Sequence, residues 1–580
     1  MSQTSTQIVA PSRLDFSKGF IFAVASLSAL AILSLLLIVI WMSLREGVPG
    51  QASVYSFKNY ATLLTDPYHY KVMWNTLWIS LTAVLVSASL GFIFAWLIER
   101  TDLPYKSLAV ALLSMGVLIP TFLKAMGWIF LLHPRIGIFN LWLKQLFGLQ
   151  NSPLNIASLT GIGFVEGITL TPVAFAMISS ALRSMNPSLV EASSVHGVGR
   201  LRTLLRIELP LVWPALVSVV IWIFTIAIAA FDVPAVIGMA NNIFTFSTAL
   251  YFTVNPTEGL PKYGISGAFG TIMIIFSLFL MLPYFYALKH SHRYQVISGK
   301  AYQTRPIELG RWSIAGWGAL LLYSLLAFVF PLLAMIWTSL LPYTQLPSWQ
   351  ALENVSLARY TELAVDRGVI QSALNTLFLM AVVPTLVVLL SAAISWIVTR
   401  SRMRGRFVLD AIAFLPHPVP NILFALSIAY LALLISNILP IYGTIYVLLI
   451  VYVVCWISFG TRLLNSNMLQ VHKELEEAAQ VGGVRALRIL GKIIIPLVRP
   501  GLVYAWVWMA LMAYRELTMA VLLASPKNPV LSTFIWSQWN GGGLGDAGAA
   551  GVMMVCVMSP LVLTLWIFAR RQQRVIHSQS

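Results

Sequence analysis

Apolar residues run along this chain in long blocks, separated by shorter stretches rich in Lys, Arg, Gly and Pro. A helix needs about 20 apolar residues to cross the hydrocarbon of a bilayer. Backbone groups in lipid must bond within the segment, so blocks of this length predict helices and not strands. Twelve are legible: near 20–42, 74–98, 107–131, 160–182, 212–238 and 263–288, then near 313–340, 373–398, 405–433, 442–465, 500–524 and 547–570. The first, Phe20 to Met42, is too long for the core of a signal peptide and lacks a small-residue cleavage site, so it reads as a retained helix. The expected fold is an all-α integral membrane protein of about 12 transmembrane helices.

The blocks form two sets of six that echo each other. Asn75-Thr76-Leu77 opens the second block, and Asn375-Thr376-Leu377 opens the eighth. Ser247-Thr248 follows the fifth, as Ser532-Thr533 follows the eleventh. Gly264 and Gly270 recur as Gly545 and Gly551, with all offsets between 281 and 300 residues. Six helices per half is even, so both halves enter the membrane with the same sidedness. This predicts two parallel six-helix repeats related by an axis along the membrane normal. The expected divisions are a first half at 1–288, a cytoplasmic linker at 289–312 and a second half at 313–580.

Composition agrees with a membrane protein. The chain of 580 residues is 58% hydrophobic and 10% charged, against about 25% charged in a soluble domain. The net charge of +17 comes from Lys and Arg at the ends of apolar blocks, with no accompanying nucleic-acid motif. With both termini cytoplasmic, the segments on that side hold about two-thirds of all Lys and Arg. The run Arg400, Arg402, Arg404, Arg406 is the densest point and reads as a topology signal. Cys455 and Cys556 lie in apolar blocks without metal or disulfide spacing and read as small buried residues.

One repeated element carries function. After the fourth block comes Glu191-Ala-Ser-Ser-Val-His-Gly197, then Ile207-Glu-Leu-Pro210. After the tenth comes Glu477-Ala-Ala-Gln-Val-Gly-Gly483, then Ile493-Ile-Ile-Pro496. The internal spacing is the same in both. Each copy predicts a helix, a turn and a second short helix. Asn186-Pro187-Ser188 can start the first copy. Ala192, Ser193, Ala478 and Ala479 leave room for a close-packed partner, and Gly197 and Gly483 permit a sharp turn. Pro210 and Pro496 are expected to end the short helix before the next span. His196 has no second His or Cys spaced to help it bind a metal and reads as a surface residue.

This spacing resembles the EAA signature of binding-protein-dependent ABC importer permeases. The resemblance implies that 185–210 and 471–496 are coupling segments, docking on an ATP-hydrolysing partner through Glu191, Ala192, Ser193, Gly197 and Pro210, and through Glu477, Ala478, Ala479, Gly483 and Pro496. Ser193 departs from the Ala of the family pattern with little change in size. Further stretches resemble the fused ferric-iron-type permeases: Gly299-Lys300-Ala-Tyr302 and Arg305-Pro306-Ile-Glu-Leu309-Gly310-Arg311-Trp312 in the linker, Phe231-Asp232-Val233-Pro234, and Tyr514-Arg515-Glu516-Leu517-Thr518. The family implies two copies of a cytoplasmic ABC ATPase, a periplasmic or surface solute-binding protein, and an inner-membrane location. It makes ferric iron the first expected cargo, with thiamine, aminoethylphosphonate or a polyamine as alternatives.

The chain has no Gly-x-x-x-x-Gly-Lys-Ser/Thr phosphate loop, so it is not expected to be an enzyme, and ATP and Mg belong on the partner. No cofactor, metal centre, catalytic constellation or nucleic-acid partner is expected; lipid is. Ionisable residues within spans include Lys124, Glu166, Asp232, Arg515 and Glu516. Such residues are costly and face the bundle interior or water. Asp232, Arg515, Glu516 and Lys124 are candidate path residues; helix locking is the alternative, and outward snorkelling is a further one for Lys124. A competing class is an ion-gradient-driven secondary transporter, which would give the repeated segments no role.

Overall fold

The computed structural model describes residues 16–47, 54–183, 192–193, 195–256, 258–291, 306–401, 403–472, 474–482, 484 and 486–577. Among them, ten helices are long and apolar enough to cross a membrane: Gly19–Ser43, Pro67–Arg100, Leu159–Arg183, Leu204–Ala229, Tyr263–Pro283, Trp312–Leu340, Arg367–Arg400, Ile445–Leu469, Leu490–Arg515 and Leu544–Leu561. Extended pairing among the described residues is limited to two isolated bridges, Arg45 with Tyr55 and Thr101 with Ile307. Linker residues 292–305 lie outside the described residues.

The third and ninth expected spans are broken. Block 107–131 divides into Lys106–Met115 and Thr121–Leu132, and block 405–433 into Arg406–Phe414 and Asn421–Leu434. Each second piece follows a proline with extended ψ: Pro120 at φ −51°, ψ 139° and Pro420 at φ −54°, ψ 128°. Proline lacks the N–H for a helical bond and pushes the preceding residue out of the helical region. Apolar pattern continues across the break, which is why periodicity alone reads one span.

The fifth and eleventh spans end earlier than their apolar blocks. Helix Leu209–Ala229 stops at Ala230 (φ −60°, ψ 135°), and helix Ile495–Arg515 stops at Glu516 (φ −71°, ψ 120°). Beyond Ala230, Pro234–Asn241 and Phe246–Val254 form a pair bent by 70°. The same spans begin earlier than expected, and here Pro210 and Pro496 correct the sequence reading. They do not end a helix. Each sits in the first turn of its span, fed without interruption by a π turn, Leu204–Glu208 or Leu490–Ile494. There the amides of Leu209 and Ile495 bond five residues back, to Leu204 and Leu490. Slipping the ladder by one residue accommodates the N–H that proline lacks.

The halves embrace through their first helices. Phe16–Ser43 packs on Tyr263–Ser291 of its own half and on Asn421–Leu434 of the other. Phe330–Leu340 packs on Leu544–His577 and on Thr121–Leu132 across the interface. Within each half the second and fourth spans run together. A Cβ at Gly163 or Gly167 would lie 2.8 or 2.9 Å from the carbonyl oxygens of Ile79 or Ala83, so glycine permits this approach. Cys455 is buried as expected, whereas Cys556 is exposed, so only one of the two fits the reading as a small buried residue.

Candidate functional site

The repeated Asn-Thr and Ser-Thr pairs meet at the breaks. Asn75 donates to the Phe244 carbonyl (3.0 Å) and Asn375 to that of Pro529 (2.7 Å). The Thr76 hydroxyl accepts from the amide of Phe246 (2.8 Å), and Thr376 accepts from Leu531 (3.0 Å), satisfying the first N–H of a short helix. Thr248 and Thr533 accept from the amides of Thr245 and Val530. Ser247 and Ser532 donate to the carbonyls of Ala229 (3.0 Å) and Glu516 (2.6 Å), where the long helices stop. Backbone leaving a helix at membrane depth must find partners in the protein. These four repeated positions supply them.

The ionisable residues gather around the same breaks. Asp232 lies three residues past Ala229, the end of its helix, and its Oδ1 accepts from Thr518 of the other half at 3.2 Å. Thr518 stands 286 residues on from Asp232, the offset that relates Glu191 to Glu477. Pseudo-equivalent residues thus touch, and the axis between the halves passes through this contact. Arg515 donates to the carbonyl of Val117 in the broken third span (3.2 Å), another bond between halves. Glu516 accepts from the amide of Met519 (2.9 Å), capping the short helix Thr518–Leu522. Asp232, Arg515 and Glu516 are half-buried.

Lys124 and Glu166 are deeper, each 4% exposed. Lys124 does not snorkel outward; its Nζ donates to the Gly116 carbonyl at 3.0 Å, inside the break of its own span. It lies close enough to Arg515, Glu166 and Asp232 for their charges to interact. Lys124, Asp232 and Arg515 therefore form one group with Glu166, and both locking bonds and half-open faces are present. Among the described residues, no three or more His, Cys, Asp or Glu stand together as a metal-binding group.

The repeated segments between spans lie at the end of the bundle that carries Arg100 and Arg400. Glu191 and Gly483 lie outside the described residues. Ala192 is exposed, and Ser193 is turned inward with its hydroxyl 2.7 Å from that of Thr203. Gly197 adopts φ 70°, a left-handed turn that favours glycine. His196 is exposed and its Nδ1 lies 2.7 Å from the Ala192 carbonyl. In the second copy, Glu474–Val481 forms a helix with Glu477 and Ala478 exposed and Ala479 half-buried. Pro210 and Pro496 are built into the spans.

Sequence reasoning passed over two buried ion pairs at this end. Arg100 Nε faces Glu208 Oε2 at 3.6 Å, and Arg400 Nε faces Glu476 Oε1 at 2.9 Å. Arg400 is thus more than one member of a topological run. A signal existed: Arg100 and Arg400 share the 300-residue offset of Asn75 and Asn375. Thr518 was overlooked because a hydroxyl does not announce itself beside two charges.

Comparison with known proteins agrees. Residues 87–293 match the family described as "Binding-protein-dependent transport system inner membrane component". The chain is 25% identical over 523 residues to the ferric transport system permease protein FbpB of Actinobacillus pleuropneumoniae, covering 87% of this chain and 72% of that protein. It is 24% identical over 494 residues to the Fe(3+)-transport system permease protein FbpB 2 of Haemophilus influenzae, covering 85% and 89%. A crystal structure of a bacterial ABC transporter that imports alginate aligns with 45% of this chain and 97% of its own, at 18% identity and a TM-score of 0.37. Residues 87–293 thus carry the inner-membrane component of a binding-protein-dependent transport system, and the similarity along most of the chain, together with its apolar helices, supports a multi-pass inner-membrane ABC importer permease with two fused halves.

Proposed function

We propose that this permease moves ferric iron, delivered by an extracytoplasmic binding protein, into the cytoplasm. The observation that carries the cargo is similarity along most of the chain to two permeases named for ferric transport. Among the described residues no three or more His, Cys, Asp or Glu stand together, so in this scheme selection of a hard cation belongs to the binding protein. Both termini are cytoplasmic in this scheme, following the basic segments. The halves are 1–288 and 313–580, joined by the linker 289–312. Two ATPase subunits dock at 185–210 and 471–496. Their closure on ATP moves both segments and rocks the halves, and Asp232, Arg515, Glu516 and Lys124 line the path that opens.

The test is reconstitution in proteoliposomes with the ATPase and the binding protein that serve this permease. ATP-dependent uptake of ferric ion is expected, with none of thiamine, aminoethylphosphonate or spermidine; uptake of one of these instead would replace iron. The lone chain should hydrolyse no ATP. Replacing both Gly197 and Gly483 by Asp should abolish stimulated hydrolysis. Normal ATP-driven uptake in that variant would overturn the docking assignment. Uptake following a proton or sodium gradient in vesicles without ATP would overturn the transporter class.

A further inference from the structure

Arg100 and Arg400 end the second span of each half, helices Pro67–Arg100 and Arg367–Arg400. Their side chains are 8% and 4% exposed. Each guanidinium makes two kinds of contact. One reaches the end of the fourth span: Arg100 donates to the Leu182 carbonyl at 3.0 Å, and Arg400 to those of Met468 at 2.5 Å and Val471 at 2.6 Å. Leu182 and Met468 are pseudo-equivalent at the 286-residue offset. The other contact reaches a carboxylate of the repeated segments 185–210 and 471–496, Glu208 or Glu476, 3% and 6% exposed.

The two acids are not equivalent. At the same offset Glu208 corresponds to Ile494, and Glu476 to Val190. In the first half the acid lies past the turn, in the π turn that feeds the fifth span. In the second it lies before the turn, in helix Glu474–Val481 itself. A buried guanidinium requires a counter-charge, and the halves draw it from opposite limbs of the segment. The connection is kept while the residue that makes it changes. A mere filler of space would not need that exchange.

The second and fourth spans are in close contact in both halves, at Gly163 and Gly167 in the first and at Gly460 against Ser391 in the second. Each arginine is therefore a three-way joint between this pair and the segment at its end. The first joint has a further tie: the Ile307 amide donates to the Arg100 carbonyl at 2.9 Å, and the Asp102 amide to that of Ile307 at 3.0 Å. The approach to the second half is thus fastened beside the first joint.

We propose that Arg100–Glu208 and Arg400–Glu476 transmit the displacement of the two segments to the paired second and fourth spans, as positioning residues outside both the docking surface and the path. This rests on the assignment of 185–210 and 471–496 as docking segments. The pairs are then needed for coupling and not for recruiting the ATPase.

The experiment uses the full transporter in proteoliposomes, with Arg100→Gln, Glu208→Gln, Arg400→Gln, Glu476→Gln, Arg400→Lys, and the swap of Arg400→Glu with Glu476→Arg. Readouts are ATPase co-purification, binding-protein-stimulated hydrolysis, and nucleotide-induced change in a spin-label distance across the bundle. Each Gln variant should retain the ATPase yet lose stimulation about three- to thirtyfold. Arg400→Lys and the swap should recover most of it. Unchanged stimulation and spin-label response in all Gln variants would overturn the proposal. So would loss of the ATPase in the Gln variants with recovery in the swap, which would make the pair a brace for folding. The docking assignment fails separately, if cysteines at Ala192 and Ala478 never cross-link to the ATPase.

Discussion

Thr76 and Thr376 do more than their small hydroxyls suggest. Each accepts the amide that opens a short helix and donates to a carbonyl one turn back, Val72 or Ser372. An alanine there leaves a buried N–H unpaired, at a cost of about 1–3 kcal/mol. Thr76→Ala and Thr376→Ala should each lower the thermal midpoint in detergent, and serine should restore most of it because the oxygen returns. Equal midpoints for alanine and serine would mean the hydroxyl is not the operative group. Their role was half legible: Asn-Thr and Ser-Thr stood out as repeats, but no one-dimensional pattern reveals that the second span and the residues after the fifth complete each other. The charges were legible as expensive residues. Their partners, among them the backbone carbonyls of Gly116 and Val117, became visible only in three dimensions.

At the scale of elements, apolar periodicity located the unbroken spans and failed where a helix stops without becoming polar. Pro120 and Pro420 stood in plain view, yet a single proline also fits a kinked continuous helix. Likewise Pro210 and Pro496 looked like stops, and a π turn absorbs each. The crossing of first helices onto opposite halves had no sequence signature apart from small residues, and it makes a prediction. A Cβ at Gly127 would lie 2.6 Å from the Cα of Pro331, which is backbone and cannot yield. At Gly551 the nearest atoms are the flexible ends of Met335 and Leu123, at 2.7 and 2.8 Å. Gly127→Ala should therefore destabilise by about 1–3 kcal/mol, with Gly551→Ala well below it. Denaturation of the two variants side by side checks the order, and a reversal would show that the crossing is looser than drawn.

For the whole molecule, the two halves repeat as scaffold and differ as charge. Lys124 corresponds to Phe424, Glu166 to Tyr452, Asp232 to Thr518, and Arg515 to Ala229. Each of these four ionisable residues thus has a neutral counterpart in the other half, which a homodimer could not arrange and a fused chain can. Asp232 and Thr518 meet at the axis, so any rocking of the halves that opens a path there must part them. Asp232→Cys combined with Thr518→Cys, in a chain whose exposed Cys556 is replaced by alanine, places two thiols where one hydrogen bond of 3.2 Å now stands. Oxidation should join them and stop uptake, and a reductant should restore it, while either single cysteine is indifferent to both reagents. Hydrolysis should persist at its unstimulated rate, since the bridge blocks separation at the axis and leaves the far end free. Full uptake through the bridged protein would place the opening elsewhere, and the central charges would then serve only to hold the halves together.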